Sequence, residues 1–314
     1  MGSATKLVPA ALLAGAAVIS LGGARAAEPQ AHERPQPILA WSPKPVPLTP
    51  WTAPNRPHWK LSDILAKHAG EPRWTEAIVE DKDFSARYVQ MAPGEKTTPQ
   101  FYADSRTFWV VQSGKIRFHI QGQPDVVASK GFLVQVPFRV PYWMETVGDA
   151  PSLRFEVVQA GATPLYPIDQ TPPKTPDKHY VKVRFTGQGA YDDVNHPYLD
   201  FAKDVVAANA RGGPFVADDH TFANVIRGHG APPPPPTDLG HFHVDYSEFW
   251  FVLEGEIDYL IEGQPLFTAS EGDIVYAPQG RWHRASFGGN GMSTRLAINP
   301  RPQGMHNYQP PSGD

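Results

Sequence analysis

The chain has 314 residues, 41% of them apolar, enough for one large domain or two of ordinary size with buried cores. Its formal charge is −4 and no Lys/Arg run is present, so the electrostatic footprint of nucleic-acid binding is missing and small, locally recognised molecules are the partners to expect. Cysteine is absent, which excludes disulfides, thiolate metal sites and thiol nucleophiles; any metal must be held by nitrogen and oxygen donors.

Residues 1–26 read as a Sec-type signal peptide. Lys6 gives a positive start, Leu7–Gly23 is apolar, and Ala24-Arg25-Ala26 forms an A-x-A cleavage site before Ala27. The apolar stretch is short for a spanning helix and is diluted by Pro9 and Gly, so the expectation is a secreted or periplasmic protein with no stable membrane insertion after cleavage. Residues 27–60 interleave eight prolines from Pro35 to Pro57 with Trp41, Trp51 and Trp59. Such a stretch cannot be regular helix or central strand, and the three indoles predict an arm laid across the body of the protein with its rings buried.

A repeated unit begins at Leu61. Ser62 is placed to cap a short helix through Lys67, with Leu61, Ile64 and Leu65 on its apolar side and Gly70 at its end. Strands are predicted at Phe84–Met91, Phe108–Gln112, Ile116–Gln121, Phe132–Pro137 and Ser152–Gln159, separated by Gly, Pro or charged turns. A shift of 141 residues lays Phe108-Trp109 on Phe249-Trp250, Gly114 on Gly255, Gly122-Gln123-Pro124 on Gly263-Gln264-Pro265, Gly131 on Gly272 and Pro137 on Pro278. A shift of 137 lays Asp63, Val79, Asp81 and Ala86 on Asp200, Val216, Asp218 and Ala223, placing an insertion near Pro232–Pro236. The chain is therefore divided into an N-terminal unit at 61–160, a Pro-rich connector at 161–179 and a C-terminal unit at 180–314. Tyr198–Ala210 reads as the best helix, with Phe201, Val205 and Val206 inward and Gly212-Gly213-Pro214 stopping it. The class is all-β with a few short helices.

The chemistry concentrates in Gly240–His283. On a strand, His241 and His243 share a face, whereas Glu248 is out of phase; a turn across Val244–Ser247 must reset the register before Glu248, Trp250 and Val252 can line the same interior. His283 arrives from another strand after the Pro278–Gly280 turn. Three imidazoles and one carboxylate are a donor set for one divalent transition metal (Fe, Mn, Cu, Ni or Zn), and softness does not choose among them. Trp250, Tyr246 and Tyr259 supply an aromatic wall for a substrate pocket.

These spacings resemble the cupin superfamily, whose first motif is G-x5-H-x-H-x3–4-E-x6-G and whose second is G-x5-P-x-G-x2-H-x3-N. His241, His243, Glu248 and Gly255 match the first apart from the leading Gly; Gly272, Pro278, Gly280 and His283 match the second, with Phe287 where Asn is usual. In the N-terminal copy Gln100, Tyr102, Thr107 and Tyr142 stand at the four donor positions while Gly114, Gly131 and Pro137 keep the turns. The resemblance implies a bicupin of two tandem double-stranded β-helix (jelly-roll) barrels packed face to face, with a metal only in the C-terminal barrel, and a homodimer is the pairing cupins commonly adopt. Likeness to quercetinase-type cupins implies a metal-dependent, dioxygenase-like oxidoreductase acting on a small aromatic or hydroxylated organic substrate, with Glu248 also accepting a proton. Two other readings stay open: non-redox lyase, isomerase or decarboxylase chemistry, and a non-catalytic periplasmic protein that binds metal or a small ligand.

Overall fold

β-branched and aromatic residues recur at alternate positions in short runs broken by glycine and proline, and the chain folds accordingly into strands of two to eight residues. The structure is a computed structural model describing residues 38–302 and 306–310. The signal reading of residues 1–26 lies outside the described residues. No helix among the described residues is long and apolar enough to cross a membrane.

In chain order the first half contains β1 (His58–Trp59), α1 (Leu61–Lys67), β2 (Trp74–Glu80), β3 (Phe84–Met91), β4 (Thr107–Ser113), β5 (Lys115–Ile120), β6 (Val126–Ser129), β7 (Phe132–Val136), β8 (Tyr142–Thr146) and β9 (Ser152–Gln159). The second half repeats it: β10 (Tyr198–Asp200), a π-helix (Phe201–Ala207), β11 (Gly212–Ala217), β12 (Thr221–Gly228), β13 (His241–Phe242), β14 (Glu248–Glu254), β15 (Glu256–Ile261), β16 (Phe267–Ser270), β17 (Ile274–Ala277), β18 (His283–Ser286), β19 (Ser293–Pro300) and β20 (Asn307–Tyr308). β4 to β6 and β9 recur at a spacing of 141 residues and β3 at 137, so the insertion falls between β12 and β14.

Each half is a jelly-roll barrel with one large and one small antiparallel sheet. The large sheets run β10-β7-β4-β9-β3-β2 and β1-β17-β14-β19-β12-β11; the small ones run β6-β5-β8 and β16-β15-β18-β13-β20. The halves exchange edges. β1, from the arm, pairs with β17 of the second barrel, and β10 pairs with β7 of the first. The large sheets then pack face to face, with Phe84 and Phe155 of the first barrel 5.6 and 6.5 Å from Phe249 of the second and Phe155 5.5 Å from Phe251. Each such ring, fully buried, contributes about 1.5–3 kcal/mol, so this seam holds the halves together.

Three local expectations are corrected. The short helix begins at Leu61, and Ser62 does not cap it: the Leu61 amide donates instead to Asp273 Oδ1 of the other barrel, at 2.9 Å. Tyr198–Ala210 is not one helix. Tyr198–Asp200 is recruited as the edge strand β10, only Phe201–Ala207 is helical, Val206 is exposed, and Gly212-Gly213-Pro214 begin β11. In the arm, Trp59 is buried with its Nε1 donating to the Ile78 carbonyl at 3.1 Å, and Trp51 is half-buried, donating to the Tyr276 carbonyl and stacked under the Arg281 guanidinium at 3.7 Å. Trp41, however, is fully exposed.

Candidate metal centre

The site is assembled by register. β13 is two residues long, and antiparallel pairing puts His241 directly opposite His283 on β18. Gly240 permits this approach: its φ is +77°, and a Cβ there would collide with the His283 carbonyl oxygen. Val244–Ser247 carries no ladder pairing and resets the phase, after which β14 delivers Glu248 into the same interior. The His243 carbonyl accepts from the Gly280 amide at 2.6 Å, tying the turn before His283 to the first motif.

Around the Glu248 carboxylate, which is buried, the His243 Nε2 stands at 3.1 Å, the His283 Nε2 at 3.2 Å and the His241 Nε2 at 3.7 Å, all from Oε2. His241 and His283 Nε2 are 3.0 Å apart. The His283 Nδ1 lies 2.9 Å from the Arg281 carbonyl, which can only accept; Nδ1 therefore carries a proton, and this bond orients the ring with Nε2 toward the cluster. The His243 ring is held by stacking on Tyr246, 4.1 Å between centroids and 21° between planes.

Burial pushes the His241 imidazole down to about 4 and lowers His243 too, against the pull of Glu248. Burial alone would raise Glu248, but hydrogen bonds from the three imidazoles hold it well below the usual carboxylate range. Around neutral pH two imidazoles that are neutral thus face an ionised carboxylate in a water-poor interior. A divalent cation is a counter-charge this donor set fits.

A further histidine was not read from sequence. The C-terminal segment returns as β20, with His241 opposite Tyr308 and Phe242 opposite Asn307, and the Gln309 side chain bonds to Leu239 and Thr237. This carries His306 to the cluster: one ligand atom each of His241, His243, Glu248 and His306 lie within 4.8 Å of one another. The sole signal was His306-Asn307-Tyr308 alternating after Pro302, too short to read as a strand. His220 and His229 are exposed.

The predicted wall residues are placed as follows. Trp250 is buried with its ring 5.3 Å from His283 and 5.4 Å from Tyr259; Tyr259 is fully buried and Tyr246 covers His243. In the first barrel the same scaffold carries no such donors. Gln100 pairs with Tyr142 as His241 pairs with His283, and its Nε2 donates to the Tyr142 hydroxyl at 3.0 Å; Tyr102 and Tyr142 are buried and fill the space.

Residues 232–298 match the Cupin domain family. Among solved structures, salicylate 1,2-dioxygenase from Pseudaminobacter salicylatoxidans is similar at a TM-score of 0.54 with 13% identity, covering 77% of this chain and 82% of that one. A Cupin 2 conserved barrel domain protein from Leptotrichia buccalis is similar at 0.50 with 12% identity, covering 78% and 96%. At these identities the likeness shows the fold alone. A search of curated protein sequences found no match.

Proposed function

We propose that this protein of two tandem cupin barrels is an exported, metal-dependent oxidoreductase of dioxygenase-like action on a small aromatic or hydroxylated organic substrate. The observation that carries the proposal is the convergence of His241, His243, Glu248 and His283 inside one barrel, with the equivalent positions of its twin filled by Gln, Tyr and Thr. The signal-like first 26 residues support export, and the fold shared with a salicylate 1,2-dioxygenase is compatible with oxygenase chemistry.

These four side chains would hold a single divalent transition metal, which when bound supplies open coordination positions and Lewis acidity. The chain itself does the rest. Trp250 presents a flat apolar face beside His283, with Tyr259 packed against it, suited to orienting a planar substrate. β20, hydrogen-bonded along β13, limits water at the cluster. Glu248 is the carboxylate that would accept a proton from a substrate hydroxyl.

The test is oxygen uptake by protein reconstituted in turn with Fe, Mn, Cu, Ni and Zn, against a panel of small phenols and hydroxylated acids. Uptake with a redox-active metal and formation of an oxygenated product is the expected result. Substrate binding without oxygen consumption or product would overturn the oxygenase reading, and turnover with Zn and no oxygen would transfer the site to lyase, isomerase or decarboxylase chemistry.

A further inference from the structure

The duplicated barrels differ at a second buried position as well as at the four donor positions. In the first barrel Glu156 on β9 stands opposite Trp109 on β4 and Arg87 on β3. Its Oε2 accepts from the Trp109 Nε1 at 2.8 Å and from Arg154 Nε and Nη2 at 3.4 and 3.3 Å, while Oε1 accepts from the Arg87 Nε at 2.9 Å. One buried carboxylate thus answers an indole N–H and two guanidinium groups.

The second barrel keeps two of these three donors, an indole and one arginine, has Asn224 in the place of Arg87, and lacks the carboxylate. Ala297 on β19 occupies the place of Glu156, opposite Trp250 and Asn224, and Arg295 occupies the place of Arg154. Trp250 Nε1, Arg295 Nε and Arg295 Nη1 are buried without a hydrogen-bond partner; the Tyr259 hydroxyl, which faces Arg295, and Asn224 Oδ1 are buried beside them and unpaired as well, but neither brings a negative charge. The Arg295 guanidinium lies 5.7 Å from the Trp250 ring, on the same interior as the metal cluster. Glu248 does not answer it: its Oε2 faces three imidazoles, and Arg295 Nε and Nη1 make no hydrogen bond to it. Buried donors are almost always paired, and a buried cation wants a counter-charge. Here the chain presents a carboxylate cradle whose template it carries in its own first half.

We infer that the second barrel binds a small organic carboxylate whose carboxyl group takes the position that Glu156 holds in the first, between Trp250 Nε1 and Arg295, with the rest of the molecule directed along the Trp250 face toward the histidine cluster. This deepens the proposed function, and rests on it, by naming the substrate class as an organic acid. Arg295 is the residue that selects for charge. Ala297 is the residue that makes room.

The probe is propionate, the side-chain equivalent of the missing glutamate, with propionamide as its neutral isostere; binding is followed by calorimetry and thermal unfolding on the full chain, and metal content by elemental analysis. Propionate is expected to bind and raise the melting temperature, and propionamide to bind at least ten-fold more weakly. Arg295→Met should lose the discrimination. Ala297→Glu should supply the carboxylate internally, raising the melting temperature and abolishing propionate binding with metal content unchanged, whereas Ala297→Gln should give no such rise. Equal binding of the two probes, no propionate binding by folded protein, or undiminished propionate binding by folded Ala297→Glu would each overturn the inference. Should Ala297→Glu not fold, the two probes on the unaltered chain and Arg295→Met decide it. The two readings fail separately: propionate bound by protein that takes up no metal leaves the cradle standing without the metal proposal, and metal uptake without propionate binding does the reverse.

Discussion

Replacing Glu156 by Ala would impose on the first barrel the arrangement of the second, and the structure says how much that should cost. Glu156 is buried, Arg154 is buried with it, and Arg87 closes the other side. Arg154 has only the Met91 sulfur as its other acceptor, at 2.9 Å. Without the carboxylate, the buried Arg154 guanidinium is left without a counter-charge and beside the like charge of Arg87, whose side chain is 40% exposed, and the Trp109 N–H loses its partner. Removing one member of a buried ion pair typically costs about 3–5 kcal/mol, more than any gain from a smaller side chain in a barrel that cannot collapse around Arg154. For a domain of this size that corresponds to a fall in melting temperature on the order of 10 °C. Urea unfolding with linear extrapolation measures the loss, and propionate at millimolar concentration should restore part of it by reoccupying the position. A loss below about 1 kcal/mol would refute the reasoning, since it would mean that the two arginines find solvent or another acceptor.

The same residue sets an acid limit. Burial raises Glu156, but Arg87 and Arg154 overrule it and bring it to about 2, against 4.5 ordinarily, so its contribution is fully present above about pH 4.5 and is lost as pH falls toward 2; the stability difference between the unaltered metal-free chain and Glu156→Ala should therefore shrink over that window, and a constant difference would contradict it. Asp273→Ala should free the arm and α1, because its carboxylate accepts the Leu61 and Ser270 amides at 2.9 and 3.0 Å and lies 2.7 Å from the His58 ring; a loss of about 1–3 kcal/mol in urea, with faster proteolysis before Leu61, is expected, and an unchanged urea midpoint would count against this anchor. His306→Ala should weaken metal affinity by roughly 10- to 100-fold in a chelator competition while leaving one metal per chain at saturation; unchanged affinity would place His306 outside the metal's reach.

The fold was legible because duplication made it so. Turn glycines and prolines recurring at a 141-residue spacing are read without knowing any contact, and the five strands read between them in the first half match to within a residue, whereas Trp74–Glu80, Val126–Ser129 and Tyr142–Thr146 were not read. The clustering of His241, His243, Glu248 and His283 was legible for the same reason, since tight turns determine which distant residues share an interior. What was hidden depends on tertiary pairing. Tyr198–Asp200 has a helical pattern locally and becomes a strand because β7 offers it an open edge. The start of α1 is set by Asp273, more than 200 residues away in sequence, which no local capping rule could find. His306 reaches the cluster only because β13 accepts a further strand, and the carboxylate cradle emerges only when Glu156 and Ala297 are compared inside the two barrels with their neighbours in place.

The central claim is one metal per chain, held in the second barrel. Elemental analysis of the full chain after purification from its native compartment tests it most directly, in parallel with His243→Ala, in which a buried donor 3.1 Å from the Glu248 carboxylate is removed. One equivalent of a divalent transition metal in the unaltered chain, absent from the variant, is the expected result. Metal retained by His243→Ala, or a second equivalent traced to the first barrel, would contradict it.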